Sequence, residues 1–376
     1  MAFGIKTPEL ILGAESPRFF ENKYFQIMNT YRRTILSLLM YITGISAGYG
    51  VWANSATLAK PVTPNASPEA AELLKYLYSI SGNHTLAGQH AVPLLRTARL
   101  IEAQRAGGHF PAVFGMDFGF DFPGTWDGIN FRQHIVDDAI QKSHEGYVIV
   151  LMWHAVRPTE DEPVKFSSSI QGKLSEQEWH DLITPGTLIN ERWKSQVDVI
   201  AYFLKQLREA HVPVLWRPYH EMNGGWFWWG KKRGNDGYKK LYRMMYDRFA
   251  NFHKLNNLLW VYGPNETTEN VDPYDTYYPG DDVVDVLGTD IYRSGFSNEQ
   301  YTQLLAVAKD KPIAIAESGV VPSPDILKQQ PRWTWFMYWF DPPDYGPQGD
   351  AIRNTYNSEQ VITFDQLPTA KAAASK

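Results

Sequence analysis

Eight short apolar runs, separated by segments with helical periodicity, constrain this chain more than any other feature of its sequence. The runs are Thr85–Gly88, Ala112–Phe118, Tyr147–Trp153, Val212–Pro218, Leu258–Tyr262, Val284–Asp290, Pro312–Ala316 and Thr334–Trp339. Between them, apolar residues recur every three or four positions, as at Trp193, Val197, Ile200, Leu204 and Leu207, or at Tyr238, Leu241, Tyr242, Met245, Phe249 and Phe252. Buried strands alternating with one-sided helices predict parallel β pairing covered by helices. An open, doubly wound sheet would share that alternation, but no G-x-G-x-x-G or P-loop follows the first run. Polar or aromatic residues close most of the runs, which favours a (β/α)8 barrel, whose catalytic groups stand at the C-terminal ends of its strands. Such a barrel needs roughly 250 residues and tolerates insertions. Residues 68–365 are therefore expected to form one catalytic domain.

The flanks read differently. Arg32-Arg33 precede an apolar stretch from Thr34 to Gly48, and the small residues Ala53-Asn54-Ser55-Ala56 follow, the order of a cleavable signal peptide. Residues 28–56 are expected to be that signal, with Met28 as the start and residues 1–27 as an upstream over-extension. The mature chain would then be secreted or periplasmic. A competing expectation is an uncleaved membrane anchor, because the stretch approaches the roughly 20 residues that span a bilayer. Gly44, Gly48 and Gly50 weaken such a permanent helix. Residues 57–67, with Pro61 and Pro64, read as a linker whose Ser67 caps a helix running through Leu73, Leu74 and Leu77. Residues 366–376 read as a tail.

Composition narrows the chemistry. A net charge of -5 favours neither nucleic acid nor an anionic membrane as a partner. With no cysteine there is no disulfide, thiolate nucleophile or cysteine-ligated metal. The aromatic content of 14%, with 13 Trp, exceeds what a core of this size ordinarily holds, and aromatic faces stack on the apolar faces of sugar rings.

Two glutamates stand where a barrel presents catalysis. Glu221 follows the fourth run in Trp216-Arg217-Pro218-Tyr219-His220-Glu221-Met222-Asn223, ahead of the aromatic loop Trp226-Phe227-Trp228-Trp229. Glu317 follows the apolar Pro312-Ile313-Ala314-Ile315-Ala316, where a lone carboxylate is costly to bury unless it is partnered. Paired carboxylates beside tryptophans suggest glycoside cleavage. Bland readings compete with each: a helix-first-turn charge for Glu221, a glutamate bonded to loop amides for Glu317, a structural ion pair for Arg217. Asp290 and Tyr292 close the sixth run, and a phenol there could bond a nucleophilic carboxylate; His154 closes the third. Trp333, Trp335 and Trp339 alternate faces, so some belong to the core, and Trp339 is best placed to reach the mouth. No metal site is expected, since neither His154 nor His220 has a second histidine at ligand spacing. Ala316 stands where a G-x-S-x-G elbow at Ser318 would need glycine.

These motifs together resemble glycoside hydrolase family 26, best known for β-mannanases. The resemblance rests on Arg217-Pro218-Tyr219-His220-Glu221-Met222-Asn223 with Trp226-Phe227-Trp228-Trp229-Gly230, supported by Trp153-His154, Asp290-Ile291-Tyr292 and Glu317-Ser318-Gly319. It implies Glu221 as acid/base, Glu317 as nucleophile and Tyr292 as the nucleophile's contact. It further implies that His154, His220, Trp226, Asp290 and Trp339 line the sugar site nearest the cut, with Trp179 as a weaker match for a further contact. The expected activity is a retaining endo-β-1,4-mannanase acting on mannan, galactomannan or glucomannan, as a monomer, with no cofactor. The alternatives are another β-glycanase of the same family (β-1,3-xylanase, lichenase or mannobiose-releasing exo-enzyme) and, in another class, a non-catalytic carbohydrate-binding barrel. Intact Glu221 and Glu317 weigh against the last, because a binder needs neither.

Overall fold

The computed structural model describes residues 60–120, 128–293, 295–343 and 346–368. The expected signal peptide, the segment before it, residues 57–59 of the linker and residues 369–376 of the tail lie outside them. No helix among the described residues is long and apolar enough to cross a membrane.

All eight expected strands form: β1 (Thr85–His90), β2 (Val113–Asp117), β3 (Val148–Trp153), β4 (Val214–Pro218), β5 (Leu258–Tyr262), β6 (Val286–Ile291), β7 (Ile313–Ser318) and β8 (Trp333–Tyr338). Neighbours pair in parallel around the series, and β1 pairs with both β2 and β8, so the sheet closes on itself. A short β9 (Val361–Ile362), absent from the sequence reading, pairs with Thr85 and Leu86 on the side that β2 occupies higher up. It fills the strand-length gap at the foot.

Period-2 alternation gives each strand an inner and an outer face. The inner face is apolar at the foot, where Leu86, Val113, Val148, Leu215, Leu259, Val286, Ala314 and Trp335 meet. The helix α1 (Pro68–Ile80), with Ser67 as its N-cap, lays Ala70, Leu73, Leu74, Leu77 and Ile80 into that cluster and so plugs the barrel. Residues 60–67, expected as a linker, are fastened to the foot. Val62 donates its N–H to Asp285 at 2.8 Å, Thr63 its hydroxyl to Leu258 O at 2.8 Å, and Ser67 its N–H to Asn256 O at 2.8 Å.

The outer faces pack under α2 (Ala98–Gly107), α3 (Arg132–Glu145), α4 (Glu176–Leu182), α5 (Leu188–Glu209), α6 (Tyr238–Tyr246), α7 (Asn298–Ala308), α8 (Pro324–Gln329) and α9 (Gly346–Tyr356). The expected stripe of α5 is buried as read, from Trp193 to Leu207. The stripe of α6 holds through Phe249 and then fails at Phe252, which is 61% exposed. From Asp247 to Phe252 the helix winds as a π turn, whose longer period rotates Phe252 off the buried face and under the Arg248 guanidinium.

Candidate active site

Above the apolar foot, the inner face turns polar. His90, Asp117, His154, Arg217, His220, Glu221, Asp290 and Glu317 all project from strand ends or the loops directly after them, and all are buried. A cavity of about 340 Å³ opens among them, lined by His90, Asp117, His154, His220, Glu221, Tyr292, Glu317 and Trp339.

Glu221 reaches the cavity through a strained turn. Tyr219 at φ 45° and Glu221 at φ 55° both adopt the left-handed conformation, which costs non-glycine residues of order 1–3 kcal/mol each unless neighbours enforce it. Three bonds enforce it here: Trp193 Nε1 to the Tyr219 hydroxyl, Trp229 Nε1 to His220 O, and Glu221 N–H to Gly263 O. Trp229 is thus a scaffold, as is Trp228, whose indole N–H goes to Ala155 O. Trp226 folds back over Gly224, where a Cβ would lie 2.0 Å from its ring, and gives its N–H to Glu221 Oε2 at 2.5 Å. Asn265 donates to Glu221 Oε1 at 3.0 Å. Burial first, and the Asp290 charge second, push the Glu221 carboxyl up to about 8, while the Trp226 N–H and Arg217 pull it back.

Glu317 is aimed by a bulge. Alternation along β7 puts Ala314 inside, which would leave Glu317 facing out. Between Thr289 and Asp290 the β6–β7 register slips by one, so Thr289 pairs with Ile315 but Asp290 with Glu317. The extra residue is Ala316, and its methyl fits because β6 carries Gly288, the partner of Ala314, where a Cβ would lie 2.7 Å from it. Once inside, Glu317 accepts from Arg217 Nη2 through Oε1 and from the Tyr292 hydroxyl at 2.7 Å through Oε2. Arg217 also pairs with Asp290 at 2.9 Å, so one guanidinium holds two carboxylates.

The remaining expected residues separate into two groups. His154, His220, Tyr292 and Trp339 line the cavity. Asp290 lies beneath it, with no exposed surface, and is pushed up to about 6 by burial against the pull of Arg217; it is placed to orient Arg217 rather than to touch a ligand. Trp226 stands behind the lining, bonded to Glu221 and edge-on to Phe227. Trp179 is elsewhere, buried with its N–H on Asp236 O.

Several lining residues escaped the sequence reading. Asp117 accepts from His154 at both the ring, Nδ1 at 2.7 Å, and the main-chain N–H at 3.0 Å. His90 stacks on Trp339 with centroids 3.7 Å apart. Phe120, Phe166 and Phe227 form an aromatic wall around His154, and Arg99 enters from α2. His90 and Asp117 do end strands, so position could have flagged them, and Phe227 belongs to the aromatic loop already singled out; Phe120, Phe166 and Arg99 carry no local sign. Burial and neighbouring cations lower His90 and His220 well below the usual histidine range, so both rings are neutral at pH 7.

Among the described residues, His220, Glu221 and Asp290 are the one group placed to offer a metal three ligand atoms, all within 4.8 Å of one another. Those carboxylate atoms already accept from Trp226, Asn265 and Arg217, donors that an ion would have to displace.

Comparison with known proteins points the same way as the geometry. The model of glycosyl hydrolase family 26 matches residues 62–366. A mannan endo-1,4-β-mannosidase of Thermothelomyces thermophilus is 35% identical over 315 residues, covering 81% of this chain and 62% of that protein. The mannan endo-1,4-β-mannosidase A of Piromyces sp. is 29% identical, with 82% of this chain and 50% of that protein covered. The chain thus spans about half to three-fifths of these curated relatives. Among solved structures, that of GH26A from Muricauda sp. superposes with a TM-score of 0.76 at 42% identity, covering 81% of this chain and 99% of that one. A β-mannanase from a symbiotic protist of the termite Reticulitermes speratus, complexed with gluco-manno-oligosaccharide, superposes at 0.71 with 32% identity, covering 82% and 98%.

Proposed function

This chain belongs to glycosyl hydrolase family 26, and from that premise we propose that it is a retaining endo-β-1,4-mannanase acting on mannan-type polysaccharide. The observation that carries the reading is the opposite electrostatic setting of two carboxylates in one cavity. Glu317 lies against the Arg217 guanidinium and the Tyr292 hydroxyl, partners that favour an ionised attacker. Glu221, pushed up to about 8, keeps its proton at neutral pH.

Double displacement follows. A Glu317 oxygen bonds to the anomeric carbon as the glycosidic C–O bond breaks, and the Glu221 proton passes to the departing oxygen. Water then attacks the glycosyl ester; Glu221, now a carboxylate, takes its proton, and Glu317 departs ionised. His154 is held through its ring Nδ1 against Asp117 at 2.7 Å, which fixes the ring plane and leaves Nε2 to hydrogen-bond a sugar hydroxyl. Trp339 offers its face to the sugar and is backed by His90.

Mannan is favoured over other β-glycans by the mannan endo-1,4-β-mannosidases among the relatives and by the gluco-manno-oligosaccharide bound to one structural neighbour. Export by a cleaved signal over residues 28–56 is part of the proposal, supported by the Arg-Arg, apolar, small-residue order; N-terminal sequencing of the exported protein tests it, and a membrane-retained residue 34–50 segment would refute it. For activity, the enzyme is given mannan, galactomannan, glucomannan, lichenan and xylans. A ladder of mixed manno-oligosaccharides with a fast fall in viscosity is expected. Mannobiose alone from the first minutes overturns endo action, and faster turnover of xylan or lichenan overturns the substrate.

A further inference from the structure

Arg99 has no place in the chemistry above, yet it lines the same cavity and is 3% exposed. It projects from the first turn of α2, outside the barrel, between the ends of β1 and β8. Its Nη1 donates to the carbonyl of Trp339 at 2.9 Å and lies 3.5 Å from that of His90. Its Nε lies 2.5 Å from Asp341, a carboxylate that is otherwise largely in solvent. One side chain thus ties together the two residues whose rings stack at 3.7 Å and 20°. Nη2 has no hydrogen-bond partner among the described residues. Asp341 already balances the charge, so the spare donor suits a neutral hydroxyl better than an anion.

We infer that Arg99 is a specificity-determining residue of the glycan site: it sets the plane of the Trp339 platform through that residue's own carbonyl and offers Nη2 to a hydroxyl of the sugar lying there. The inference rests on the proposed glycanase reading. A planar, forked guanidinium can bridge a carbonyl, a carboxylate and a third acceptor at once, whereas lysine's point charge serves one geometry. Stacking energy depends on ring orientation, so a tilted platform weakens sugar binding even where the indole remains.

The test uses the full enzyme, with wild type first shown to cleave a β-glycan and Glu317→Ala shown not to; failure there sinks the glycanase reading, not Arg99. On that glycan's hexasaccharide, Arg99→Met is expected to lower kcat/KM roughly tenfold to a hundredfold, the weight of one or two hydrogen bonds to a charged group, and Arg99→Lys to recover part of it. In a Trp339→Ala background the same Arg99→Met change should cost clearly less, because the platform is gone and only the Nη2 contact remains to be lost. An equal loss in both backgrounds, or no loss in a folded Arg99→Met enzyme, overturns the inference. If Arg99→Met does not fold, Asp341→Asn decides: a surface change expected to lower kcat/KM with an unchanged melting temperature, and unchanged kcat/KM refutes the clamp.

Discussion

The foot and the mouth of this barrel each bury a carboxyl group whose pKa is raised, and the two groups serve unlike ends. At the foot, burial pushes Asp285 up to about 6; its two oxygens accept the main-chain N–H groups of Val62 and Trp260, both at 2.8 Å. At the mouth, burial pushes Glu221 to about 8; its partners are the side chains of Trp226 and Asn265, and it faces a cavity shared with Glu317. A perturbed pKa therefore reports burial, while partners and access report role. Asp285 fastens the entering chain to the barrel. Glu221 is held by groups that can yield as a substrate arrives.

The sharpest break between the two regions is expected from removing one carboxylate at each end. Glu317→Ala should lose roughly 10⁴-fold or more in kcat on every substrate, as other nucleophile deletions do. Asp285→Asn should leave kcat/KM within about twofold, being remote from the chemistry. Steady-state kinetics on folded variants checks both, and a comparable loss for Asp285→Asn would mean that the foot carboxyl also serves the chemistry.

Next in size is Glu221→Ala, expected to slow polysaccharide cleavage by roughly 10²–10⁴, the usual weight of a general acid. With an aryl mannoside whose leaving group needs no proton, the glycosyl-enzyme should still form, and azide should accelerate turnover and yield a β-mannosyl azide. An α-azide, or inversion in the wild type by NMR, contradicts the assignment. Because Glu221 acts in its protonated form and titrates near 8, wild-type kcat/KM should fall as pH rises through about 8 on mannan. That limb should flatten with the activated aryl substrate.

Trp339→Ala is a smaller step, with a loss of roughly 1–3 kcal/mol in binding or transition-state energy expected for one aromatic face. Oligosaccharide kcat/KM beside a thermal melt measures it. Unchanged kcat/KM at unchanged stability would make this indole a bystander.

The smallest effect belongs to the foot. Asp285 has a folded pKa near 6 against an ordinary 3.8, so the folded state holds this proton more tightly than the unfolded chain does. Wild-type stability from this group is therefore fullest below pH 4 and is lost as pH climbs through 6. Relative to Asp285→Asn, the wild-type melting temperature should rise between pH 7 and pH 4. A constant difference across that range would mean that Asp285 is not titrating there.

Most of the barrel was legible because its strands are buried on both faces and bounded by turns. Strand ends varied by a residue or two, and Leu258–Tyr262 matches its reading throughout. Phe252 misled because a π turn leaves no mark in an apolar period. Within the site, His154, Glu221, Tyr292, Glu317 and Trp339 could be found because chemistry in a barrel gathers at strand ends. Arg99, Phe120 and Phe166 could not, since they arrive from a helix or from loops whose paths depend on the finished fold.

The sequence by itself determined the closed sheet, the polar mouth above an apolar foot, and the two glutamates, because alternation and strand-end position are local properties of the chain. Only the tertiary structure decided which way those glutamates face and what surrounds them. The register slip that turns Glu317 inward requires Gly288 on the neighbouring strand, and the left-handed turn beneath Glu221 is enforced by Trp193, Trp229 and Gly263. Protonation depends on burial and on charges brought together from β4, β6 and β7, whose separation along the chain hides the distances that set their energy.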